Sequence, residues 1–474
     1  MGEIKHKGFF DKTIRKVRKG WRGMASSSYD AEAATRRPDL PPADAVKLQA
    51  QMRDCLEIRG GEVSSRERAA ALGHIYLALD SGGRKRFLEV LLADFDVDHT
   101  AVLETAKQLA EAVSDDEQGK TEAKLRRLLE SPRLKILRQF NALPDGIKFL
   151  VDMRAEILTL SRDTPELKPL ANDIRDLMTS WFDINFLELK QISWDNASAA
   201  LLEKLISYEA VHAIESWDDL KNRLDSDRRC FAYFHPRMPE EPLIFVEVAL
   251  VRGMAANIHD LLDEQAPVID PNEADTAIFY SISNAQQGLA GISFGNFLIK
   301  MAVSELSTEF PNLKTFSTLS PVPGFMKWLH DRISEGETGL LKPDERKAIS
   351  TLSKSKGSKG TLKALLSNND WASVRKVSDV LEGPLMRLCA RYLMDEKRRP
   401  GRALDPVAHF HLSNGAIMER LNWQGDCSNK GLGQSAGIMI NYLYDPEEIE
   451  DNHENYSAKG AVTASSDLLS IRKG

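Results

Sequence analysis

Residues Ala277 to Phe325 decide the fold class of the chain, and they read AIFYSISNAQQGLAGISFGNFLIKMAVSELSTEFPNLKTFSTLSPVPGF. The stretch opens with an apolar, aromatic-rich run that predicts a β-strand, continues with a glycine-punctuated loop and enters an amphipathic helix. A second short strand follows and ends at Ser320. A strand, a glycine-rich turn and a helix N-terminus favour a phosphate-bearing ligand, because free backbone N–H groups and the positive end of the helix dipole point the same way. The sequence therefore predicts an α/β domain with a ligand loop near Gly291 to Asn296.

The periodicity of apolar residues divides the rest of the chain into two parts. Residues 41–182 carry apolar residues at helical spacing throughout, which predicts an all-helical bundle. From residue 183 onwards strand signals alternate with helices, which predicts a mixed α/β domain over 183–474. The predicted strands are FAYFHP (231–236), PLIFVEVALV (242–251), AIFYSIS (277–283), TFSTLS (315–320), AHFHLS (408–413) and IMINYLY (438–444).

The composition excludes several classes of protein. The chain has 474 residues, of which 42% are hydrophobic and 28% charged, and its length suggests two globular domains. The formal net charge of -7 argues against general nucleic-acid binding. No apolar run is long enough for an integral membrane segment. The four cysteines are scattered without a zinc-binding spacing, so they favour a reducing compartment.

Residues 1–40 precede the helical pattern, and the first part of this segment is strongly basic with interspersed apolar side chains. We interpret 1–40 as a basic, flexible tail. A transit peptide and a membrane-surface anchor are the two alternatives for the basic stretch. The predicted location is cytoplasmic, or the mitochondrial matrix if the stretch is a transit peptide.

Five segments resemble the malonyl-CoA decarboxylase family, and the similarity extends from about Leu143 to about Tyr444. The segments are YSISNAQQGL (280–289), FGNFLIK (294–300), FSTLSPVPGF (316–325), PLMRLCARYL (384–393) and LDPVAHFHLSNGA (404–416). The resemblance implies a multidomain α+β protein, with an N-terminal all-helical bundle followed by a GNAT-type, acetyltransferase-like mixed α/β catalytic domain. It also implies conversion of malonyl-CoA to acetyl-CoA and carbon dioxide without a metal, no cofactor beyond the CoA moiety of the substrate, and a homotetramer formed through the helical domain.

The loop before the FGNFLIK helix is the predicted CoA site. Acetyltransferases of the GNAT fold bind the CoA pyrophosphate with a Q/R-x-x-G-x-G/A loop, and that pattern aligns here with residues 290–295. Ala290 stands at the Gln/Arg position and Ser293 at the first Gly position, whereas Gly295 is kept. We therefore assign binding to backbone amides rather than to side chains. The predicted substrate contacts are Ala290, Gly291, Ile292, Ser293, Phe294, Gly295, Asn296, Ser320 and His411.

Two residues carry the predicted chemistry. Ser320 ends a predicted strand, and the prolines that follow it make the backbone rigid. Its hydroxyl is therefore suited to face a cleft, although a Ser before Pro more commonly serves in a turn. The resemblance identifies Ser320 with the family's catalytic Ser and His411 with its catalytic His. It implies an enolate that is protonated by His411 with help from Ser320. The ordinary pKa of His, about 6.5, suits a proton donor near neutral pH.

The HFH sequence is a possible metal-binding pair. In the predicted strand His409 and His411 face the same side. No convincing third ligand stands nearby, so we predict no metal site and assign His409 no role. Tyr442, in another matched segment, is interpreted as lining the pocket or filling the core.

Three other functions fit parts of the sequence. An acyl-CoA N-acetyltransferase would use the same fold with an amine acceptor. A serine hydrolase would use GISFG (291–295), which matches the G-x-S-x-G nucleophile elbow, although the predicted strand does not lead directly into it. A CoA-sensing protein would bind its ligand without turnover.

Overall fold

The computed structural model describes residues 29–57, 61–182, 186–292, 298–352, 358–367, 369–399 and 401–473. The described residues form two compact units. The first unit consists of those within Met1–Glu188, Phe234–Leu243 and Gln286–Ser293, and the second of those within Leu189–Tyr233, Ile244–Ala285 and Phe294–Gly474. Two short pieces from beyond residue 183, Phe234–Leu243 and Gln286–Ser293, therefore belong to the first unit.

The first unit is a bundle of helices, most of which bury apolar side chains. Its helices are α1 (Ala31–Arg36), α2 (Pro42–Asp54), α3 (Gly61–Ala78), α4 (Ser81–Asp94), α5 (His99–Glu111), α6 (Asp115–Leu128), α7 (Pro132–Asn141), α8 (Gly146–Leu160) and α9 (Lys168–Thr179). The buried ring of Tyr76 packs edge-on against Phe87 and Phe149, with ring centroids 5.1 and 5.8 Å apart. This bundle confirms the predicted helical region.

The second unit combines helices with most of a mixed sheet. Its helices are α10 (Ala199–Tyr208), α11 (Trp217–Asn222), α12 (Ile258–Leu262), α13 (Leu298–Glu309), α14 (Phe325–Ser334), α15 (Pro343–Thr351), α16 (Ser358–Leu365), α17 (Arg375–Asp395), α18 (Pro406–Ser413), α19 (Asn429–Ser435), α20 (Ile449–Lys459) and α21 (Ser466–Lys473). The strands among the described residues are β1 (Glu188–Ile192), β2 (Arg228–His235), β3 (Met238–Val251), β4 (Thr276–Asn284), β5 (Thr315–Thr318), β6 (Ser320–Pro321), β7 (Lys397–Arg399), β8 (Arg402–Ala403), β9 (Ile417–Asn422) and β10 (Met439–Leu443).

The sheet has the order β1-β2-β3-β4-β5-β10-β6, with β9 also paired to β10, while β7 and β8 form a separate ribbon. Strand β4 is antiparallel to β3 and parallel to β5. The parallel pair needs a crossover connection, and α13 lies in it. Strand β10 pairs with both β5 and β6, through Leu443 opposite Ser317 and Ile440 opposite Ser320. The predicted mixed α/β domain is thereby confirmed.

One predicted strand is wrong. AHFHLS (408–413) lies in helix α18, which begins at Pro406 and is capped by Asp405. An Asp followed by Pro is a helix-start signal, because the side chain caps the first turn and the fixed φ of Pro suits the first helical position. The aromatic composition of the segment concealed that signal. Strands β1 and β9 were not predicted, since charged residues interrupt their apolar pattern.

The predicted flexible tail is also wrong in its last part. Residues 31–36 form α1, Tyr29 and Leu40 are buried, and Asp30 accepts hydrogen bonds from the N–H groups of the first helical turn. Residues 1–28, with the basic stretch, lie outside the described residues. Within the described part of the chain, no helix is long and apolar enough to cross a membrane.

Candidate active site

The first turn of helix α18 fixes the position of the predicted catalytic histidine. The buried carboxylate of Asp405 accepts hydrogen bonds from the N–H groups of Val407 and Ala408, both at 2.9 Å. It also accepts from the hydroxyl of Tyr392 at 3.3 Å and from the N–H of Gly324 at 3.4 Å. The start of the helix is therefore tied both to α17 and to the turn before α14.

Ser320 and His411 lie in direct contact, although 91 residues separate them in sequence. Ser320 Oγ is 3.1 Å from His411 Nε2, and His411 Nδ1 is 2.8 Å from the hydroxyl of Tyr444. Ser320 Oγ also donates to Thr318 Oγ1 at 2.9 Å, which in turn accepts from the N–H of Tyr442 at 3.1 Å. The two predicted catalytic residues thus belong to one continuous chain of hydrogen bonds.

The imidazole of His411 is enclosed by aromatic rings. The ring of Tyr442 stacks on it with centroids 4.4 Å apart and an interplanar angle of 24°. Phe410 and Tyr444 approach it edge-on. Only 2% of His411 and 6% of Ser320 is exposed. Burial lowers the pKa of His411 to about 3, because the charged imidazolium loses its hydration. The assumption of an ordinary pKa near 6.5 is therefore wrong for the protein without its substrate.

This lowered pKa predicts a pH-dependent stability. Between pH 6.5 and 3 the unfolded chain binds a proton at His411 that the folded protein does not bind, so stability is full above pH 6.5 and falls as the pH drops. From pH 7 to pH 5 the loss due to this residue amounts to about 2 kcal/mol. Denaturant unfolding of the wild type and His411→Asn at both pH values measures it, since the other titrating groups cancel in the difference. An equal loss of stability in both proteins would contradict the assignment of the lowered pKa to His411.

His409 does not share the site. Two residues along a helix place side chains on nearly opposite faces, so the prediction that both histidines face the same side is wrong. His409 Nδ1 lies 2.9 Å from the hydroxyl of Tyr456 and 3.3 Å from Ser413 Oγ. Among the residues that the structure describes, no group of three or more His, Cys, Asp or Glu side chains is placed to hold a metal ion.

The predicted CoA loop is described only in part, since Ser293, Phe294, Gly295 and Asn296 lie outside the described residues. Ala290 and Gly291 are exposed, and Gly291 has a φ of +80°, which favours glycine. The Ile292 N–H donates to the carbonyl of Leu289 at 3.0 Å. The prediction that this amide is available to a ligand is therefore wrong for Ile292.

Arg154 holds the start of that loop and was not identified from the sequence. Its buried guanidinium donates to the carbonyls of Gly288 at 2.5 Å, Ala290 at 2.8 Å and Ala171 at 3.0 Å. Gly288 itself packs so closely on α8 that an added Cβ would lie 1.8 Å from the carbonyl oxygen of Val151. The sequence offers no distinct signal for this role, because Lys148, Asp152 and Glu156 stand in the same segment.

Two more residues of the site were missed, Thr318 and Tyr444. Each lies two positions from a residue that the sequence analysis had named, Ser320 and Tyr442 respectively. Residues two apart in an extended segment face the same side, so the strand period was the signal that could have found them.

Comparison with known proteins gives consistent matches over most of the chain. The family model described as malonyl-CoA decarboxylase C-terminal domain matches residues 185–473, and the one described as malonyl-CoA decarboxylase N-terminal domain matches residues 95–182. The mitochondrial malonyl-CoA decarboxylase of Anser anser anser is 38% identical over 421 residues, covering 85% of this chain and 83% of that protein. The mitochondrial malonyl-CoA decarboxylase of Rattus norvegicus is 34% identical over 472 residues, covering 95% and 92%.

A solved structure shows the same similarity. The crystal structure of malonyl-CoA decarboxylase from Rhodopseudomonas palustris superposes with a TM-score of 0.82 at 41% sequence identity, covering 91% of this chain and 99% of that one. The match includes both the helical region and the sheet region, since it spans nine tenths of the chain.

Proposed function

Because the chain belongs to the malonyl-CoA decarboxylase family, we propose that Ser320 and His411 perform the proton chemistry of its carboxy-lyase reaction. This enzyme converts malonyl-CoA to acetyl-CoA and carbon dioxide. The observation that carries the proposal is the 3.1 Å contact between Ser320 Oγ and His411 Nε2 inside a buried chain of hydrogen bonds. Groups that must act on the same reacting atom have to lie this close together.

The chemistry sets three requirements for the site. When the carboxylate leaves as carbon dioxide, the electron pair of the broken C–C bond passes into the thioester as an enolate. The protein must hold the CoA, stabilise the enolate oxygen and deliver one proton to the carbon. The thioester itself accepts the electron pair, so the reaction needs no separate electron sink. We accordingly propose that neither a metal nor a cofactor takes part.

The buried imidazole is neutral before the substrate arrives, because its pKa lies near 3. The malonyl carboxylate brings a negative charge into the pocket, and a nearby opposite charge raises the pKa of an imidazole. The substrate thus promotes the uptake of a proton from solvent by His411. After carbon dioxide departs, His411 gives a proton to the enolate carbon and returns to its neutral form, so one proton is consumed per turnover.

Ser320 is suited to bind the reacting group of the substrate. Its hydroxyl oxygen contacts both His411 and Thr318, and it sits at the start of β6, where β10 pairs with the strand. When substrate is bound, this hydroxyl can turn its single hydrogen from Thr318 to the malonyl carboxylate or the enolate oxygen. That role assists the proton transfer and does not require Ser320 to form a covalent bond.

The CoA moiety is proposed to bind at residues 290–296. Support comes from the exposed Ala290–Gly291 turn, the positive φ of Gly291 and the anchoring of the preceding carbonyls by Arg154. A homotetramer formed through the helical bundle and a cytoplasmic location remain proposals that follow from the resemblance and the cysteine usage. The matrix alternative is supported by the relatives whose names include mitochondrial.

Product analysis tests this function. Purified protein incubated with malonyl-CoA alone should yield acetyl-CoA and carbon dioxide in equal amounts, with full activity in EDTA. Chromatography of the CoA esters and trapping of labelled carbon dioxide measure both products. Loss of activity in EDTA that a divalent ion restores contradicts the metal-free mechanism. Turnover that needs an amine acceptor, or that releases free CoA, favours the acetyltransferase or the hydrolase instead.

A further inference from the structure

Thr318, the last residue of β5, has a role in the site that the reaction chemistry alone does not give it. Its side chain is completely buried. The hydroxyl oxygen accepts two hydrogen bonds, one from Ser320 Oγ at 2.9 Å and one from the N–H of Tyr442 at 3.1 Å. Thr318 therefore determines where the single hydroxyl hydrogen of Ser320 points.

The direction of that hydrogen decides the protonation of His411. A Ser hydroxyl has one hydrogen to donate, and here it is directed at Thr318. The 3.1 Å contact between Ser320 Oγ and His411 Nε2 must then take its hydrogen from the imidazole. In a neutral imidazole only one nitrogen carries a hydrogen, so Nδ1 is left as an acceptor. The Tyr444 hydroxyl, 2.8 Å from Nδ1, donates to it.

We propose that Thr318 is a positioning residue that keeps the proton of neutral His411 on Nε2, the nitrogen beside Ser320. This inference deepens the proposed function and rests on it for its catalytic meaning. In this chain of hydrogen bonds Tyr444 donates to His411, His411 donates to Ser320, and Ser320 donates to Thr318. The backbone N–H of Tyr442 also donates to Thr318 Oγ1. Each link is buried, so water does not compete for the hydrogens.

The direction of the hydrogen bond between Ser320 and His411 distinguishes a pair that acts as an acid from one that acts as a nucleophile. In a Ser–His pair that forms a covalent intermediate, the Ser hydroxyl donates to the imidazole, which acts as its base. Here the order is reversed, so Ser320 is not activated and the Nε2 hydrogen is directed at Ser320 Oγ. Thr318 thus favours the arrangement in which the pair donates a proton to carbon. It disfavours the arrangement in which the Ser320 hydroxyl donates to His411 and its oxygen attacks the thioester.

Nitrogen NMR of the resting protein tests the assignment directly. Protein labelled with ¹⁵N-histidine distinguishes protonated from unprotonated ring nitrogens, and the signal of His411 is identified by its absence from His411→Asn. We expect wild-type His411 to be neutral at pH 7 with its hydrogen on Nε2. In Thr318→Val, which is nearly isosteric but cannot accept, the Ser320 hydroxyl is free to turn to Nε2, and the hydrogen should move to Nδ1. Thr318→Ser keeps the acceptor and should retain the wild-type pattern.

Kinetics give the second readout. Thr318→Val should lower kcat at least 10-fold and leave KM within about 3-fold, because a proton is misplaced while the binding surface persists. Thr318→Ser should recover most of kcat, which a loss caused only by disturbed packing would not predict. If Thr318→Val fails to fold, the wild-type spectrum and Thr318→Ser still decide the matter. A hydrogen on Nδ1 of wild-type His411, or an unchanged pattern in Thr318→Val, overturns the proposal.

The two proposals fail in different ways. If His411→Asn decarboxylates malonyl-CoA at the wild-type rate, the proposed function of the pair fails even when the spectrum shows the hydrogen on Nε2. If His411→Asn is inactive while the wild-type spectrum places the hydrogen on Nδ1, the function stands and the role of Thr318 is rejected.

Discussion

His411→Asn is expected to lower kcat by about 10²-fold or more while CoA affinity stays within a few-fold. His411 is the proposed source of the proton that ends on the acetyl carbon, and this step follows binding. The loss of His411 should therefore lower kcat. The residue contacts Ser320, in β6, and Tyr444, directly after β10, whereas the proposed CoA loop is a different segment of the chain.

His409→Asn is the matched control for this variant. It removes an imidazole from the same helix, only two residues away, whose partners are Tyr456 and Ser413 and not Ser320. We expect it to retain most of the activity. Steady-state rates, together with calorimetric titration of CoA into each variant, separate the two effects. A His411 variant that turns over normally, or one that fails only because CoA no longer binds, argues against His411 as the acid.

Activity should also respond to pH in a way that the resting protein does not. The free imidazole titrates near pH 3, but the bound malonyl carboxylate raises its pKa in the complex. The profile of kcat should therefore fall on the alkaline side of this raised pKa, since a neutral His411 lacks the extra proton that the enolate carbon takes up. Ser320 and His411 share a hydrogen bond, so the apparent value belongs to the pair.

Ser320→Ala should lose about 10²-fold or more in kcat, whereas Ser293→Ala should leave most of the activity intact. Ser320 contacts His411 at 3.1 Å, and its removal deletes the hydroxyl that holds the reacting group. Ser293 is the Ser of the GISFG motif, which only a serine hydrolase would need. Strand β4 ends at Asn284 and a 3₁₀ turn follows, so the strand does not lead directly into the motif as a nucleophile elbow requires.

Rates of acetyl-CoA formation for the two Ser→Ala variants decide between these functions, and melting temperatures confirm that both proteins fold. Free CoA is assayed in the same reactions, because a hydrolase would release it. An essential Ser293 beside a dispensable Ser320 would shift the assignment to the hydrolase.

The position of His411 shows where local sequence signals were insufficient. The segment AHFHLS has the aromatic composition of a strand, but Asp405 and Pro406 impose a helix start. The change of element separates His409 from His411 by about 200° around the helix axis. The proposal that His411 is the catalytic histidine does not depend on this error, because it came from the family resemblance. The predicted common face of the two histidines did depend on it and is wrong.

Apolar periodicity along the chain determined the helical first part, the mixed α/β second part and most of the strands, because these depend on neighbours within a few residues. The FHLSNGA (410–416) and LSPVPGF (319–325) segments also marked His411 and Ser320 through resemblance. The tertiary structure alone decided that these residues touch across 91 positions, that Tyr444 and Thr318 flank them and that Arg154 anchors the loop. It also decided that His411 is neutral, because a pKa depends on the water that folding removes, and no local pattern of residues records that removal.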